Sequence, residues 1–260
     1  MKLNIVYFYP KDLSLYGDTG NIDILSYRAE KRGIDTNVTT ICVNDKINST
    51  TLKNADIIFM GGGPESGQKN IYKDLIKNKS PYINEFIQKG GMGLFICGSY
   101  QLLGHYYKLS DGSIIEGIKI FNLHTEAPED NNASNNKNRN IGNIVCKLSD
   151  QLLNDDYFKN NNYIGNLIVG FENHAGKTYL HKDSISFGSV VKGFGNNLID
   201  KTEGVIYKNS IGTYFHGPLL SKNPHLADYY ISKSLKIEKL KKLDDYIETC
   251  AHNTALTLQN

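Results

Sequence analysis

The chain has 260 residues, enough to bury a large core as one domain. Its 40% hydrophobic and 10% aromatic content excludes a chain that is disordered throughout. Lysine and arginine total 29 against 27 acidic residues, a net charge of +2 with no basic stripe, so there is no electrostatic case for nucleic acid. No apolar run approaches the ~20 residues of a membrane span, and no signal-peptide layout precedes the first apolar run. The expectation is a cytoplasmic protein with no direct membrane insertion and with its cysteines reduced. Those cysteines are Cys42, Cys97, Cys146 and Cys250; no two form a C-x-x-C pair, so spacing gives no support for a metal site.

Taken in chain order, Leu3–Tyr9 is a β-rich run. Asn21–Arg32 reads as a helix with Ile22, Leu25 and Ala29 on one face, and Gly33 stands where a helix C-cap belongs. Thr36–Val43 is a second strand. Asp56–Met60 is a short apolar strand that runs into Gly61-Gly62-Gly63-Pro64. Tyr72–Lys89 reads as helix, split or restarted at Pro81 and stopped by Gly90-Gly91. Gly93–Ile96 is a buried strand, followed by Cys97 and a helical stretch, Ser99–Tyr107. Strands alternating with helices imply a mostly parallel sheet covered on both faces, with function gathered outside the carboxyl ends of the strands.

The second half reads differently. Ile114–Leu123, Gly142–Lys147, Tyr163–Phe171, Thr178–Leu180, Phe187–Lys192, Gly204–Tyr207 and Ile211–Phe215 are short β candidates, the last two joined by a hairpin at Lys208-Asn209-Ser210. Glu129–Asn140 is an Asn-rich loop, and a final helix runs from about Pro224 to Cys250. No repeat or linker divides the chain, so residues 1–260 are read as one domain.

Three segments carry chemistry. In Gly93-Leu94-Phe95-Ile96-Cys97-Gly98-Ser99-Tyr100 a buried strand meets a nucleophile, then small residues, then a helix, which is the layout of a nucleophile elbow. A lone cysteine is more often a buried core thiol; the turn around Cys97 reverses that. In Ile211-Gly212-Thr213-Tyr214-Phe215-His216-Gly217-Pro218 a strand ends on His216, where an imidazole can take a thiol proton and protonate a leaving amine. In Met60-Gly61-Gly62-Gly63-Pro64, backbone N–H groups of Gly62 and Gly63, with that of Gly98, are candidate donors to an oxyanion. A plain tight turn or a phosphate cradle is the alternative, although neither G-K-[ST] nor G-x-G-x-x-G is present.

Together these segments resemble the class I glutamine amidotransferases. Tyr16-Gly17-Asp18-Thr19-Gly20-Asn21-Ile22, Gly170-Phe171-Glu172-Asn173-His174-Ala175-Gly176-Lys177-Thr178-Tyr179-Leu180 and Tyr214-Phe215-His216-Gly217-Pro218 look like the cobyric-acid-synthase-related branch and, within it, the GatD-type glutaminase subunits. The resemblance covers essentially the whole chain. It implies a three-layer αβα, flavodoxin-like fold with a mostly parallel central sheet and antiparallel additions in the C-terminal half. It implies an enzyme in which Cys97 forms a thioester with L-glutamine and His216 shuttles the proton. Gln101 matches the family glutamine bordering the substrate pocket, and Arg139 matches the arginine for the substrate α-carboxylate. The ammonia would pass to a MurT-like Mur ligase subunit that amidates the D-glutamate of lipid II in peptidoglycan biosynthesis. This chain would need no cofactor and no metal; ATP and Mg belong to that partner. Asn173 and His174 are expected to be structural or interface residues.

Two departures stand out. Many class I members carry an acid two residues after the histidine, but Gly217 and Pro218 follow His216; either a dyad suffices or a carboxylate comes from elsewhere, and the partner is its expected source. The elbow reads C-G-S-Y rather than C-G-G-Y, which asks whether its third place needs positive φ. The alternatives are a subunit for corrinoid-type (cobyric acid) carboxylate amidation, a non-catalytic binding module, and a cysteine peptidase. Retention of both Cys97 and His216 argues against the binding module; Gln101 and Arg139 suit a small amino-acid substrate better than a peptide.

Overall fold

The computed structural model describes residues 1–48, 50–128, 139–161 and 164–258. Residues 129–138 of the Asn-rich loop, and Tyr163 at the start of one expected strand, lie outside the described residues.

The first half is a βα alternation: β1 Lys2–Phe8, α1 Gly20–Glu30, β2 Asp35–Ile41, β3 Ile57–Met60, α2 Glu65–Asp74, α3 Ser80–Gln88, β4 Met92–Ile96 and α4 Gly98–Leu102. Helix α1 forms where Ile22, Leu25 and Ala29 recur on one face, all buried. It ends in a Schellman pattern: Gly33 N–H donates to Glu30 O, Ile34 N–H donates to Ala29 O, and Gly33 takes φ +73. The expected helix Tyr72–Lys89 is instead two helices joined through a π turn at Leu75–Lys79, with Pro81 in the first turn of α3, where its missing N–H costs nothing. The stretch expected as helix Ser99–Tyr107 is helical only to Leu102. Gly104 N–H caps onto Gln101 O, and Tyr106–Lys108 is already β5.

The later elements are β6 Ile114–Glu116, β7 Leu123–Glu126, β8 Asn140–Leu148, α5 Asp150–Leu153, α6 Asp156–Asn160, β9 Leu167–His174, β10 Lys177–Leu180, β11 Gly188–Lys192, β12 Thr202–Glu203, β13 Val205–Tyr207, β14 Ser210–Thr213, β15 Phe215–His216, α7 Pro224–Leu235 and α8 Tyr246–Thr257. The expected strand Ile114–Leu123 is broken. The N–H groups of Ile118, Ile120 and Phe121 turn back to the carbonyls of Leu102 and Leu103, so these apolar residues wrap the end of α4. The expected long final helix is two: Lys236 takes φ +55 and closes α7, with Ile237 N–H on Ser232 O, before the Lys-rich stretch.

The central sheet has the order β13-β14-β4-β3-β1-β2. All its pairings are parallel except the β13–β14 hairpin at Lys208-Asn209. Both faces are buried, as a parallel sheet requires. Leu3, Ile5, Tyr7, Phe59 and Leu94 face Ile22, Leu25, Ala227 and Ile231 of α1 and α7. Val6, Phe8, Ile58 and Phe95 face Ile71, Ile83 and Ile87 of α2 and α3. This is the three-layer αβα arrangement with antiparallel additions. The additions are a four-stranded sheet, β10-β7-β5-β6, and a five-stranded sheet, β12-β11-β8-β9-β15.

The crossing from β14 to β15 positions the site. The chain leaves the central sheet at Tyr214 and pairs with β9, so the expected strand Ile211–Phe215 is two strands in two sheets. Buried Glu203 holds the crossing by accepting from Thr213 Oγ1 (2.6 Å) and Tyr214 N–H (2.8 Å).

Candidate active site

Strand β4 is buried along its whole length and delivers Cys97 to the carboxyl edge of the sheet. Cys97 N–H continues the parallel pairing by donating to Thr213 O at 2.8 Å, and Cys97 O accepts from Gln101 N–H at 2.9 Å. Between these two anchors the residue takes φ +50 and ψ −105. A side chain in that region costs about 1–3 kcal/mol and persists only where its surroundings impose it. The strain belongs to Cys97 itself. Ser99 is ordinary helix and completely buried, and its hydroxyl donates to Met60 O (2.7 Å) and Ile96 O (3.0 Å), stitching α4 to the ends of β3 and β4. The C-G-S-Y variant therefore needs no second positive φ.

His216 and Asp18 are both wholly buried. Nδ1 of His216 lies 3.0 and 3.2 Å from the Asp18 carboxylate oxygens, while Nε2 has no nitrogen or oxygen partner among the described residues. Burial by itself lowers the imidazole pKa. The negative charge and hydrogen bonding of Cys97 and the Asp18 carboxylate outweigh it and raise the value to about 10. The thiol and imidazole are thus one electrostatic unit, oriented by a third group. That third group comes from this chain, in the place where a partner's carboxylate was expected. It stands 198 residues before the histidine, at the turn leading into α1. Asn21 fixes the same corner: its Nδ2 donates to Asp18 O, and its Oδ1 accepts Leu220 N–H from the chain just beyond His216. The Tyr16 ring stands edge-on to the imidazole at 4.9 Å.

Gly62 is at the centre of this unit but not as expected. Its N–H donates to Asp18 Oδ2 at 2.7 Å and its carbonyl accepts from Leu15 N–H, so the peptide is committed to the turn and cannot present a donor to substrate. What the position requires is the absence of a side chain. A Cβ there would lie 2.6 Å from His216 Cε1, and 3.1 Å from both Asp18 Oδ2 and Cys97 Cβ. Of the expected oxyanion donors, Gly63 and Gly98 remain. A Cβ on Gly63 would strike Leu13, and one on Gly98 would strike the Gln68 amide.

Arg139 is braced by Asn173: Nε and Nη2 both reach its Oδ1 (2.9 and 2.7 Å), and Nη2 reaches its carbonyl (3.1 Å). Asn173 is therefore a support for Arg139. Burial pushes the Tyr107 hydroxyl up to about 12, with Glu65 and Cys97 raising it further and Arg139 opposing them. Gln101 is buried, and its Nε2 donates to Tyr214 OH at 3.1 Å, so that donor is used inside the protein. His174 stacks flat on the same tyrosine at 3.7 Å, with Nδ1 against Gly176 O, which makes it a packing residue.

Residues 4–224 match the CobB/CobQ-like glutamine amidotransferase domain. The chain belongs to the CobB/CobQ-like glutamine amidotransferases. It is 38% identical to the Staphylococcus aureus protein named lipid II isoglutaminyl synthase (glutamine-hydrolyzing) subunit GatD, with 100% of this chain and 97% of that protein covered. It is 37% identical to the protein of the same name from Streptococcus pneumoniae, covering 98% and 88%. A probable cobyric acid synthase of Methanocaldococcus jannaschii is 31% identical over 72% of this chain but only 35% of its own length. Among solved structures, the amidotransferase fold recurs in PurLQS from Thermotoga maritima (TM-score 0.52, 16% identity, 92% of this chain and 100% of that one). It recurs again in the glutaminase domain of Trypanosoma brucei CTPS with bound acivicin (TM-score 0.54, 10% identity, 92% and 98%). This CobB/CobQ-like amidotransferase is accordingly an enzyme, a glutamine-hydrolysing amidotransferase subunit.

Proposed function

We propose that the chain is the glutaminase subunit of a lipid II isoglutaminyl synthase, with Cys97 as nucleophile, His216 as acid and base, and Asp18 as its orienting carboxylate. The carrying observation is the buried Asp18–His216 pair set against the strained Cys97 at the sheet edge. Attack of the Cys97 sulfur on the side-chain carbonyl of glutamine gives a tetrahedral oxyanion, for which Gly63 and Gly98 supply the N–H donors. The protonated His216 gives its Nε2 proton to the departing nitrogen, and ammonia leaves as the thioester forms. Neutral His216 then takes a proton from water, the hydroxide attacks the thioester, and glutamate leaves with the thiolate and imidazolium restored. Asp18 keeps Nδ1 protonated and Nε2 aimed at the chemistry throughout, as in other triads.

Arg139, held in place by Asn173, is the group suited to the α-carboxylate of glutamine, because a guanidinium binds a carboxylate through paired N–H donors. The ammonia passes to a MurT-type, Mur-ligase-like partner in the cytoplasm, which uses ATP and Mg to amidate the D-glutamate α-carboxyl of lipid II to D-isoglutamine. What supports this acceptor over a corrinoid-type carboxylate is the near full-length similarity to the two GatD proteins, against partial coverage of the much longer cobyric acid synthases. No helix among the described residues is long and apolar enough to cross a membrane.

The test is glutamate release from L-glutamine by the full chain, with Cys97→Ala beside wild type. Wild-type release and its loss in Cys97→Ala are expected; equal release by both would sink the assignment. For the acceptor, the chain is combined with a Mur-ligase-like protein, ATP, Mg, glutamine and lipid II. Amidated lipid II is expected, and glutamine consumption with unchanged lipid II would refute this acceptor.

A further inference from the structure

Gln68 lies on α2 and is only 6% exposed, although it is a long amide side chain. Its backbone N–H donates to Pro64 O, closing the turn that follows the glycine loop. Its Nε2 donates to Gly63 O at 3.4 Å. The same amide lies against Gly98: a Cβ at that position would be 2.7 Å from Gln68 Nε2 and 3.0 Å from its Cδ. One side chain therefore touches both glycines whose N–H groups are left to serve the oxyanion. Its Oε1 is buried and has no hydrogen-bond partner among the described residues. A buried amide oxygen without a donor is costly, and an apolar side chain of similar length would avoid that cost. Turning the amide over to seek a donor would surrender the bond to Gly63 and set two oxygens against each other.

We infer that Gln68 is a positioning residue for the oxyanion hole: it fixes the spacing between the Gly63 and Gly98 peptides so that both N–H groups converge on the tetrahedral oxygen. This rests on the reading of Cys97 as a glutamine-attacking nucleophile. The Gln68 amide lies against Gly63 and Gly98, so its removal acts on the transition state and leaves the thiol in place. Gly98 must lack a side chain for the same reason: any Cβ there displaces the amide that sets the spacing.

The experiment uses the full chain as wild type, Gln68→Met and Gln68→Glu. Three quantities are read: kcat and KM for glutamate release, and the rate at which iodoacetamide alkylates Cys97, a reaction that forms no oxyanion. For Gln68→Met, kcat is expected to fall by about tenfold or more with KM within about threefold, the pattern of a contact realised only in the transition state. Alkylation is expected to stay within about twofold of wild type, since it does not use the oxyanion donors. Gln68→Glu should show a deficit in kcat that deepens as pH rises through the carboxylate range, because a negative charge then stands beside the oxyanion. An unchanged kcat in Gln68→Met overturns the inference. So does a parallel loss of kcat, KM and alkylation, which would mark Gln68 as merely structural. A wild-type chain that releases no glutamate overturns the glutaminase reading itself, and that arm is decided before the variants are compared.

Discussion

Replacing Gly62 with alanine tests the geometry of the site with a single carbon. The added Cβ would sit 2.6 Å from His216 Cε1 and 3.1 Å from both Asp18 Oδ2 and Cys97 Cβ. Ordinary contact between such atoms begins near 3.5 Å, so the imidazole must move by roughly 1 Å. It has little freedom to do so. His216 and Asp18 are wholly buried and bonded to each other, and the Gly62 peptide is itself bonded to Asp18. A misplacement of about 1 Å between reacting groups costs on the order of a hundredfold in rate, and overpacking of this kind costs about 1–3 kcal/mol in stability. The assay is steady-state glutamate release together with thermal unfolding. Gly112→Ala is the control. Gly112 has φ +81 and, its chain neighbours aside, no atom of the described residues lies within 4 Å of its would-be Cβ, so that variant loses about 1 kcal/mol of backbone stability without touching the site. If Gly62→Ala kept kcat within about threefold of Gly112→Ala, far short of the hundredfold expected for a displaced base, the packing of imidazole, thiol and carboxylate around Gly62 would be refuted.

Asp18→Asn should lower kcat by about 10²–10⁴-fold with a small change in KM, since the amide cannot hold the imidazolium and its tautomer as the carboxylate does; near-wild-type turnover would return the third carboxylate to a partner. Arg139→Lys should raise KM for glutamine by about ten- to a hundredfold with kcat little changed, the worth of a charged hydrogen bond of about 1.5–3 kcal/mol; titration of KM checks it, and an unchanged KM would remove Arg139 from the substrate. Burial raises the Glu203 carboxyl from 4.5 to about 8 despite its bonds from Thr213 and Tyr214. An acid whose folded pKa is raised contributes stability that is present below the unfolded pKa and lost as pH rises through the folded one. Wild type should therefore lose Tm between pH 4.5 and about 8, and Glu203→Gln should lose less over that window. Parallel Tm profiles would show that Glu203 is not the titrating group.

Most of the fold could be read from sequence because its signals are local. The apolar runs that become β1, β3 and β4, the spacing of Ile22, Leu25 and Ala29, and Gly33 at the helix end each follow from a few neighbouring residues. Cys97 and His216 were legible for the same reason, each at the end of a strand beside small residues. The misread features depend on contacts far away in the chain. Within the 114–123 segment Ile114–Glu116 pairs as β6, but Ile118, Ile120 and Phe121 spend their N–H groups on the end of α4 rather than on a strand. The 211–215 run changes sheets at Tyr214, where Glu203 of β12, in the five-stranded sheet, takes its N–H. Asp18 could not be matched to His216 by any local pattern, since only the fold closes the 198 residues between them. Its segment, Tyr16–Ile22, stands out by resemblance alone. Gly62 was singled out for the wrong property: in the structure its donor is consumed by Asp18, and the empty space at its Cα is what the site uses.

The central claim is that the Cys97 sulfur carries the glutamyl group. Rapid acid quenching of the full chain during glutamine turnover, followed by intact-mass measurement and peptide mapping, tests it directly. A glutamyl adduct on the peptide containing Cys97 is expected, destroyed by hydroxylamine as a thioester should be, and absent from Cys97→Ala. Glutamate release by wild type at full rate with no adduct at Cys97, or with an adduct on another residue, would contradict the account.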